Sequence, residues 1–251
     1  MEHKEYKLLK DRELFFWWNV GRRRILQDVL KRHFAPSFNL KILDVGCGPG
    51  GNILFLKDFG KVTGLDASDE ALVYAKGLPY HDLVFGSAIH IPFPDYTFDC
   101  AAALDVVEHI EDDRRALSEM FRVLKPGGVL LLTVPTYPWM WSLHDEALHH
   151  KRRYRKKELH AKIKDVGFLI EEASYFVFPS IPFRASRIFV QKIKKVFGVK
   201  ENNVPKTDDI ILPAFLNNLF IFWLTLERYF MKVFPLPWGS SLLVLGKKPV
   251  A

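Results

Sequence analysis

Two cysteines in 251 residues, Cys47 and Cys100, are too few for a disulfide framework or a cysteine-rich zinc site, and they suit a reducing compartment. Low-complexity tracts are missing as well. Hydrophobic residues make up 49% of the chain and charged residues 26%, which excludes a disordered or collagen-like polymer. The opening MEHKEYKLLKDREL is highly charged, with no apolar stretch behind a basic start, so no cleaved secretory signal and a cytoplasmic place are expected. The apolar segment ILPAFLNNLFIFWLTL, residues 211–226, is interrupted by Asn217 and Asn218 and falls short of the ~20 apolar residues a spanning helix needs. Charge asymmetry is modest: Lys+Arg 36 against Asp+Glu 29 leaves +7, enough to favour anionic surfaces or substrates but not to announce a nucleic-acid binder.

What is present is a strict alternation of elements. Residues 5–34 place Leu8, Leu9, Phe15, Phe16, Val20, Ile25, Leu26, Val29 and Leu30 at helical spacing, with Pro36 as the stop. The cluster Phe15-Phe16-Trp17-Trp18 is expected to pack on the main domain. From Lys41, KILDVGCG, KVTGLDA, DLVFGSA, FDCAAALDV and GVLLLTVP read as five strands, separated by helices such as NILFLKDFG, EALVYAKGLP and DDRRALSEMFRVLKPGG. Alternating strands and helices imply right-handed crossovers and a mostly parallel sheet buried on both faces. Beyond Pro135 come a long aromatic, His-rich and basic connection, a helix over 156–167 and a strand over 168–178. A basic amphipathic stretch (184–197), a polar link (198–209), an apolar helix from Pro213 to Phe234 and a closing strand SSLLVLGKK follow. The expected division is an N-terminal helical cap (1–38), a core (39–182), a helical insertion (183–236) and a closing strand with tail (237–251).

The sharpest local feature is LDVGCGPGGN, residues 43–52. Gly46, Gly48 and Gly50 lie between a strand and a helix, where missing Cβ atoms let the chain turn tightly and a ligand approach. Gly46, Gly48 and Gly51 also satisfy G-x-G-x-x-G, which alone is a weak signal. Asp66 ends the second strand, where a carboxylate accepts from both hydroxyls of a ribose. A dinucleotide or an adenosyl cofactor would fit to this point. Asp44 tips the balance, because a carboxylate beside the first glycine repels a pyrophosphate and favours a sulfonium or ammonium group.

LDVGCGPGG, the acidic end of GLDAS, FDCAAALDVVEHIEDD and LKPGGVLLLTVP occur in the order of class I S-adenosylmethionine-dependent methyltransferases, and the chain resembles the subgroup that includes ubiquinone-biosynthesis O-methyltransferases. The resemblance covers residues 40–178 and makes the segment near 241–247 an antiparallel seventh strand. It implies an α/β, doubly wound, seven-stranded mostly parallel sheet of Rossmann-like methyltransferase type, with N-terminal helices and a helical insertion before the last strand. Carried over, it puts Gly46, Cys47 and Gly48 against the methionine moiety near Asp44, Asp66 on the ribose and Ala67 beside the adenine. Ser87 and Ala88 would face the adenine edge, where many members have Asp in place of Ser87. Leu104 would offer backbone groups to the methionine end, and Arg22 would reach the cofactor's carboxylate. S-adenosyl-L-methionine is the implied cofactor and S-adenosyl-L-homocysteine its product.

Methyl transfer from a sulfonium needs alignment and exclusion of water, and needs a base only if the acceptor must lose a proton. His109 in VVEHI, and His144 in the connection HDEALHHKRRY, are the candidate bases. Tyr137, Trp139, His149, Arg152, Arg153 and Tyr154 are the candidate acceptor contacts, an aromatic wall beside arginines suited to an anionic group. His144, Asp145 and His149 have only generic spacing, so no metal is expected. The expected acceptor is a small molecule or a lipid-linked molecule, not nucleic acid. Peripheral contact with the inner face of a membrane through 184–234, and a monomer or homodimer, complete the expectations. A nicotinamide-dependent oxidoreductase and an RNA methyltransferase are the alternatives.

Overall fold

The computed structural model describes residues 14–34, 39–182, 185–186, 190 and 212–250. Its strands are β1 (Leu40–Val45), β2 (Gly60–Asp66), β3 (Asp82–Phe85), β4 (Phe98–Leu104), β5 (Leu124–Pro135), β6 (Leu169–Phe176) and β7 (Ser241–Lys247). They form one sheet in the order β3-β2-β1-β4-β5-β7-β6. Strand β7 runs antiparallel to β5 and β6, and the other neighbouring pairs are parallel. The helices are α1 (Trp17–His33), α2 (Ile53–Leu56), α3 (Asp69–Ala75), α4 (Asp113–Val123), α5 (Leu143–Ala147), α6 (Lys156–Val166) and α7 (Ala214–Phe230). This is the doubly wound sheet the alternation implied, with the seven strands the family resemblance implied.

The period of two along each strand divides the core into two layers. Strand β4 sends Ala101 and Ala103 to one side, where Leu43, Val45, Leu130 and Leu132 meet Leu117 and Met120 of α4 and Leu159 and Ile163 of α6. It sends Cys100, Ala102 and Leu104 to the other, where Ile42, Val62 and Leu131 meet Ile25, Leu26 and Val29 of α1 and Ile53 and Leu56 of α2. Helix α1 therefore supplies side chains to the sheet's own core. Helix α2 is a single turn, because Gly60, read as a helix stop, is instead the first residue of β2, and the Leu40 amide bonds the Phe59 carbonyl at 3.3 Å.

Helices α1 and α7 cross closely. A Cβ on Gly21 would collide with the Leu224 side chain, so a glycine in mid-helix, worth ~1 kcal/mol against Ala, is what permits the approach. Asn217 accepts from the Trp17 amide (2.9 Å) and donates to the Phe15 carbonyl (2.9 Å), capping the entry to α1. That contact explains the polar interruption in the apolar segment. Trp17 and Trp18 pack against the core layer of α1 and β1, as expected of the aromatic cluster, and Trp17 also meets Phe220 of α7 with ring centroids 5.0 Å apart, although Phe15 stays exposed. Asp28 takes a two-pronged contact from Arg228 (2.6 and 2.7 Å). Glu227 is buried and accepts from the Val177 and Phe178 amides at the end of β6 (2.7 and 2.9 Å), and its burial pushes the carboxyl pKa up to about 7. Most of the basic stretch 184–197 and the whole link 198–209 lie outside the described residues.

Candidate functional site

Strand order reverses between β1 and β4, so the crevice for a ligand opens at their carboxyl ends. The loop that leaves β1 there holds Gly46 at φ 66° and Gly48 at φ 54°, left-handed conformations that glycine adopts without steric cost. A Cβ on Gly46 would come within 2.7 Å of both Val106 methyls, whereas one on Gly48 would meet nothing within 4 Å among the described residues. Gly46 is thus spent on packing against the turn after β4, and Gly48 faces open space. Asp66, half-buried at the end of β2, accepts from the Gly48 amide (2.8 Å) with one oxygen and from the Ser68 amide (2.9 Å) with the other. Each oxygen retains a lone pair for a hydroxyl. Ala67 and Ser87 lie exposed on the same rim, since the Gly86 amide bonds the Asp66 carbonyl (2.9 Å) and sets Ser87-Ala88 beside it.

Four of the loop's own amides are committed. Gly46 and Cys47 both donate to the Leu65 carbonyl (2.7 and 3.0 Å), Gly48 to Asp66, and Gly50 to the Cys47 carbonyl (3.0 Å). A pyrophosphate needs such amides free and pointing at it. An open cradle beside a ribose-competent carboxylate offers an adenosyl cofactor its ribose contact. The Cys47 thiol is buried and its pKa is pushed up by burial and by Asp44 and Asp66, so it is a neutral packing group and only its backbone faces the loop. Leu104 is likewise a core side chain.

Asp44 is corrected by the structure. Expected to face a cationic ligand, its side chain is instead 0% exposed, accepting from Asn52 Nδ2 (2.9 Å) and the Tyr80 hydroxyl (2.8 Å). Burial pushes its pKa up to about 7, against the opposing pull of those donors and Arg22. Arg22 lies at the same strand ends: it donates to Asn52 Oδ1 (3.3 Å), pairs with Asp105 (2.5 Å) and sits 4.4 Å from the Trp18 ring centre. Thr133 completes the chain by donating to Asp105 (3.0 Å). Asn52, Tyr80 and Asp105 went unrecognised in the sequence. Asn52, directly after the glycines at a helix start, was the one with a local signal.

The acceptor side follows β4. Val106 covers Gly46, and the next turn, Val107–His109, brings Glu108 inward and His109 to the surface. Glu108 is 0% exposed, and among the described residues no other residue donates to its carboxylate oxygens; burial and Asp105 hold its pKa well above the ordinary range. The His109 ring packs edge-on against His150, centroids 4.7 Å apart, and burial of that side with His150 nearby holds it below the usual imidazole range. His150 bonds Asp145 through Nδ1 (2.9 Å).

Arg153 and Tyr154 are two further corrections. Neither is offered to an acceptor. Arg153 is 5% exposed and donates to Asp145 (2.7 Å) and the Thr136 carbonyl (3.1 Å). Tyr154 is 0% exposed and donates to Asp113 (2.7 Å), which also pairs with Arg152 (3.1 Å) and Lys162 (2.6 Å). Desolvation is the reason: once β5 pairs with β7, the connection lies across the strand ends and its cations neutralise carboxylates beneath it. Tyr137, at φ 59°, stacks on Tyr175 (5.6 Å), while Trp139 and His149 remain exposed. His144 lies in the first turn of α5.

Residues 43–132 match a family described as Methyltransferase domain. The chain is 36% identical over 122 residues to demethylmenaquinone methyltransferase of Symbiobacterium thermophilum, covering 44% of this chain and 48% of that protein. It is 32% identical over 155 residues to the protein of the same name from Staphylococcus aureus (strain MRSA252), covering 56% and 62%. The chain thus spans between about half and three-fifths of the length of these relatives. A solved structure of Haemonchus contortus phosphoethanolamine N-methyltransferase 2, in complex with S-adenosyl-L-methionine, superimposes with a TM-score of 0.55 at 20% identity over 89% of this chain and 52% of that one, a likeness of fold.

Proposed function

We propose that this chain, whose residues 43–132 belong to the class I S-adenosylmethionine-dependent methyltransferase family, moves a methyl group from that cofactor to the oxygen of a small-molecule or lipid-linked acceptor. The observation that carries the reading is the open cradle at Gly48 beside Asp66, at the point where the sheet reverses. The cofactor would supply an already activated methyl group. The chain's part is then positional: Asp66 takes the ribose, Ser87 and Ala88 face the adenine, and Arg22 and Asn52 stand at the amino-acid end. Trp139 and His149 form the exposed rim on the acceptor side. A hydroxyl acceptor has to lose a proton, and His109, kept neutral by its packing, is the side chain proposed to receive it. His144 is held as the second candidate.

S-adenosyl-L-homocysteine at about 100 times its Kd is expected to stabilise the protein by about 2.7 kcal/mol, or roughly 5–10 °C in Tm for a chain of this size. NAD at the same concentration is expected to leave Tm unchanged. A shift with NAD and none with the homocysteine product would replace the reading with an oxidoreductase.

A lipid-linked acceptor draws support from α7. Its outward face exposes Phe215, Leu219, Phe222, Trp223 and Phe230, with Arg228 and Lys232 at the flank. Among the described residues no helix is long and apolar enough to cross a membrane, so contact would be interfacial. Vesicles containing anionic lipid should carry the protein upward in a flotation gradient at low salt, and F222D/W223D should remain at the bottom. Failure of the unaltered chain to float removes the membrane from the proposal and leaves the methyl transfer standing.

A further inference from the structure

We propose that α7 is a latched lid, and that its release at Glu227 frees the start of α1 and opens the crevice at Arg22 and Asn52. The latch stands on α7 itself, while the ligand it admits rests on the cofactor reading. Arg22 and Asn52 set the problem. They belong to the amino-acid end of the proposed site, yet they are only 8% and 6% exposed. Trp18 covers the guanidinium, its ring centre 4.4 Å away, and Asp105 pairs with it from the turn after β4. Groups so enclosed are reached only when an element beside them moves, and the strands beneath are fixed in the sheet. The element beside them is α1. Helix α7 grips it along one side, with Asn217 at Trp17, Leu224 against Gly21 and Arg228 on Asp28.

Helix α7 is lightly seated for its length. Of its 17 residues only Leu224 and Glu227 are buried, whereas α1 buries Ile25, Leu26, Val29 and Leu30. Local opening costs least where few apolar contacts are buried, so α7 should open far below the free energy of global unfolding. One of its two buried side chains is, moreover, a carboxyl. Glu227 accepts from the Val177 and Phe178 amides (2.7 and 2.9 Å), and among the described residues no cation pairs with it. The nearby cations Arg228 and Lys232 are turned to Asp28. Two hydrogen bonds then stand against the desolvation of a charge, a balance in which neither side wins by much. That balance makes the contact reversible.

The turn that receives Glu227 is itself strained. Val177, β-branched and buried, sits at φ 63°, a conformation that persists only where its surroundings impose it. Its carbonyl is held by the Ser180 hydroxyl (2.8 Å), and its amide and the next one form the concavity that Glu227 fills. Taking the carboxylate away leaves two amides unpaired and weakens what imposes that φ, so turn and helix are released together. Closure reverses both. A lid built this way has two arrangements and little between them, and the one that seats α7 also seats Arg22 through α1.

The test is hydrogen exchange of the full chain, read by mass spectrometry, beside stopped-flow binding of S-adenosyl-L-homocysteine. Peptides from α7 and from the Trp17–Arg22 end of α1 are expected to exchange at least ~100-fold faster than those of β1 and β4. S-adenosyl-L-homocysteine should slow them. In E227Q one amide faces an NH2 group, and exchange of α7 should rise at least ~10-fold with β1 and β4 unchanged. Association and dissociation should both quicken by about that factor, because binding waits on opening while the closed complex is loosened equally. A side chain that only supported the fold would weaken binding without speeding association. R228A, which frees Asp28, serves if circular dichroism and Tm show E227Q unfolded. Exchange of α7 together with β4 in the unaltered chain overturns the lid. So does an association rate in the folded variant within ~2-fold of the unaltered chain. If the unaltered chain does not bind S-adenosyl-L-homocysteine, the cofactor reading falls and exchange alone decides the latch. Opening of α7 ahead of the sheet, and more so in the folded variant, then keeps it, and any other pattern removes it.

Discussion

Replacing Arg153 by Ala is expected to cost about 3–5 kcal/mol of unfolding free energy, the usual consequence of leaving one partner of a buried ion pair behind. Asp145 is 0% exposed, and the two contacts Arg153 makes, to Asp145 and to the Thr136 carbonyl, are both internal. Their loss leaves the carboxylate on His150 and on the amide and hydroxyl of Ser142. His150 and Arg153 hold Asp145 well below the ordinary carboxyl range despite its burial. The sign follows. A carboxyl with a depressed folded pKa contributes stability that is present above about pH 4 and is lost as pH falls through the folded value. The R153A protein should therefore show a smaller fall in stability on acidification than the unaltered chain. Urea unfolding at pH 7 measures the main effect as a lower midpoint at unchanged slope. Stability within about 1 kcal/mol of the unaltered chain, together with weakened acceptor binding, would restore Arg153 to the acceptor site.

Arg153 also marks where sequence reading stops. HHKRRY has the composition of a solvated basic turn or an anion grip, and both readings presume exposure. Exposure was decided elsewhere, by a carboxylate eight residues earlier and by the carbonyl at the end of β5. Tyr154 repeats the point, because its hydroxyl finds Asp113 across 41 residues of chain. Asp44 is the sharpest instance. Its place beside the glycines was plain, but a strand's period of two does not say whether a side chain near its end faces a ligand or tucks beneath the loop. Asn52 and Tyr80, eight and thirty-six residues away, settle that.

The fold was legible because its signals are local and repeated. Strands such as β1 and β3 are short apolar runs followed by glycine, and α4 carries a one-sided stripe. The crossover rule then leaves few ways to assemble them. The glycine loop was legible for a related reason: left-handed φ at Gly46 and Gly48 is a demand that sequence records directly. Burial of a charge, in contrast, is recorded only in its partner, and the partner's distance along the chain is arbitrary. The buried carboxylate of Glu108 could not have been anticipated, since VVEHI says nothing about which side of the turn is dry.

Asp66→Ala should weaken binding of S-adenosyl-L-homocysteine by at least ~100-fold, about 2.7 kcal/mol, with little change in Tm. Two hydrogen bonds from ribose hydroxyls to an ionised carboxylate are each worth ~1.5–3 kcal/mol. Asp66 is also what holds the Gly48 amide at 2.8 Å, so the variant frees the residue that forms the open cradle. The structural loss is small by comparison, because Asp66 is half-exposed and the amides it releases at Gly48 and Ser68 are at the rim, where water can replace it. Asp66→Asn separates the two contributions. Its one carbonyl oxygen can still accept one amide and one hydroxyl while its NH2 group accepts neither, and its affinity should fall between those of the Ala variant and the unaltered chain. Calorimetric titration of all three proteins reads the order. An Ala variant within a factor of about five of the unaltered chain would mean that the ribose is held by some other group, and the assignment of this crevice to an adenosyl cofactor would lose its central contact.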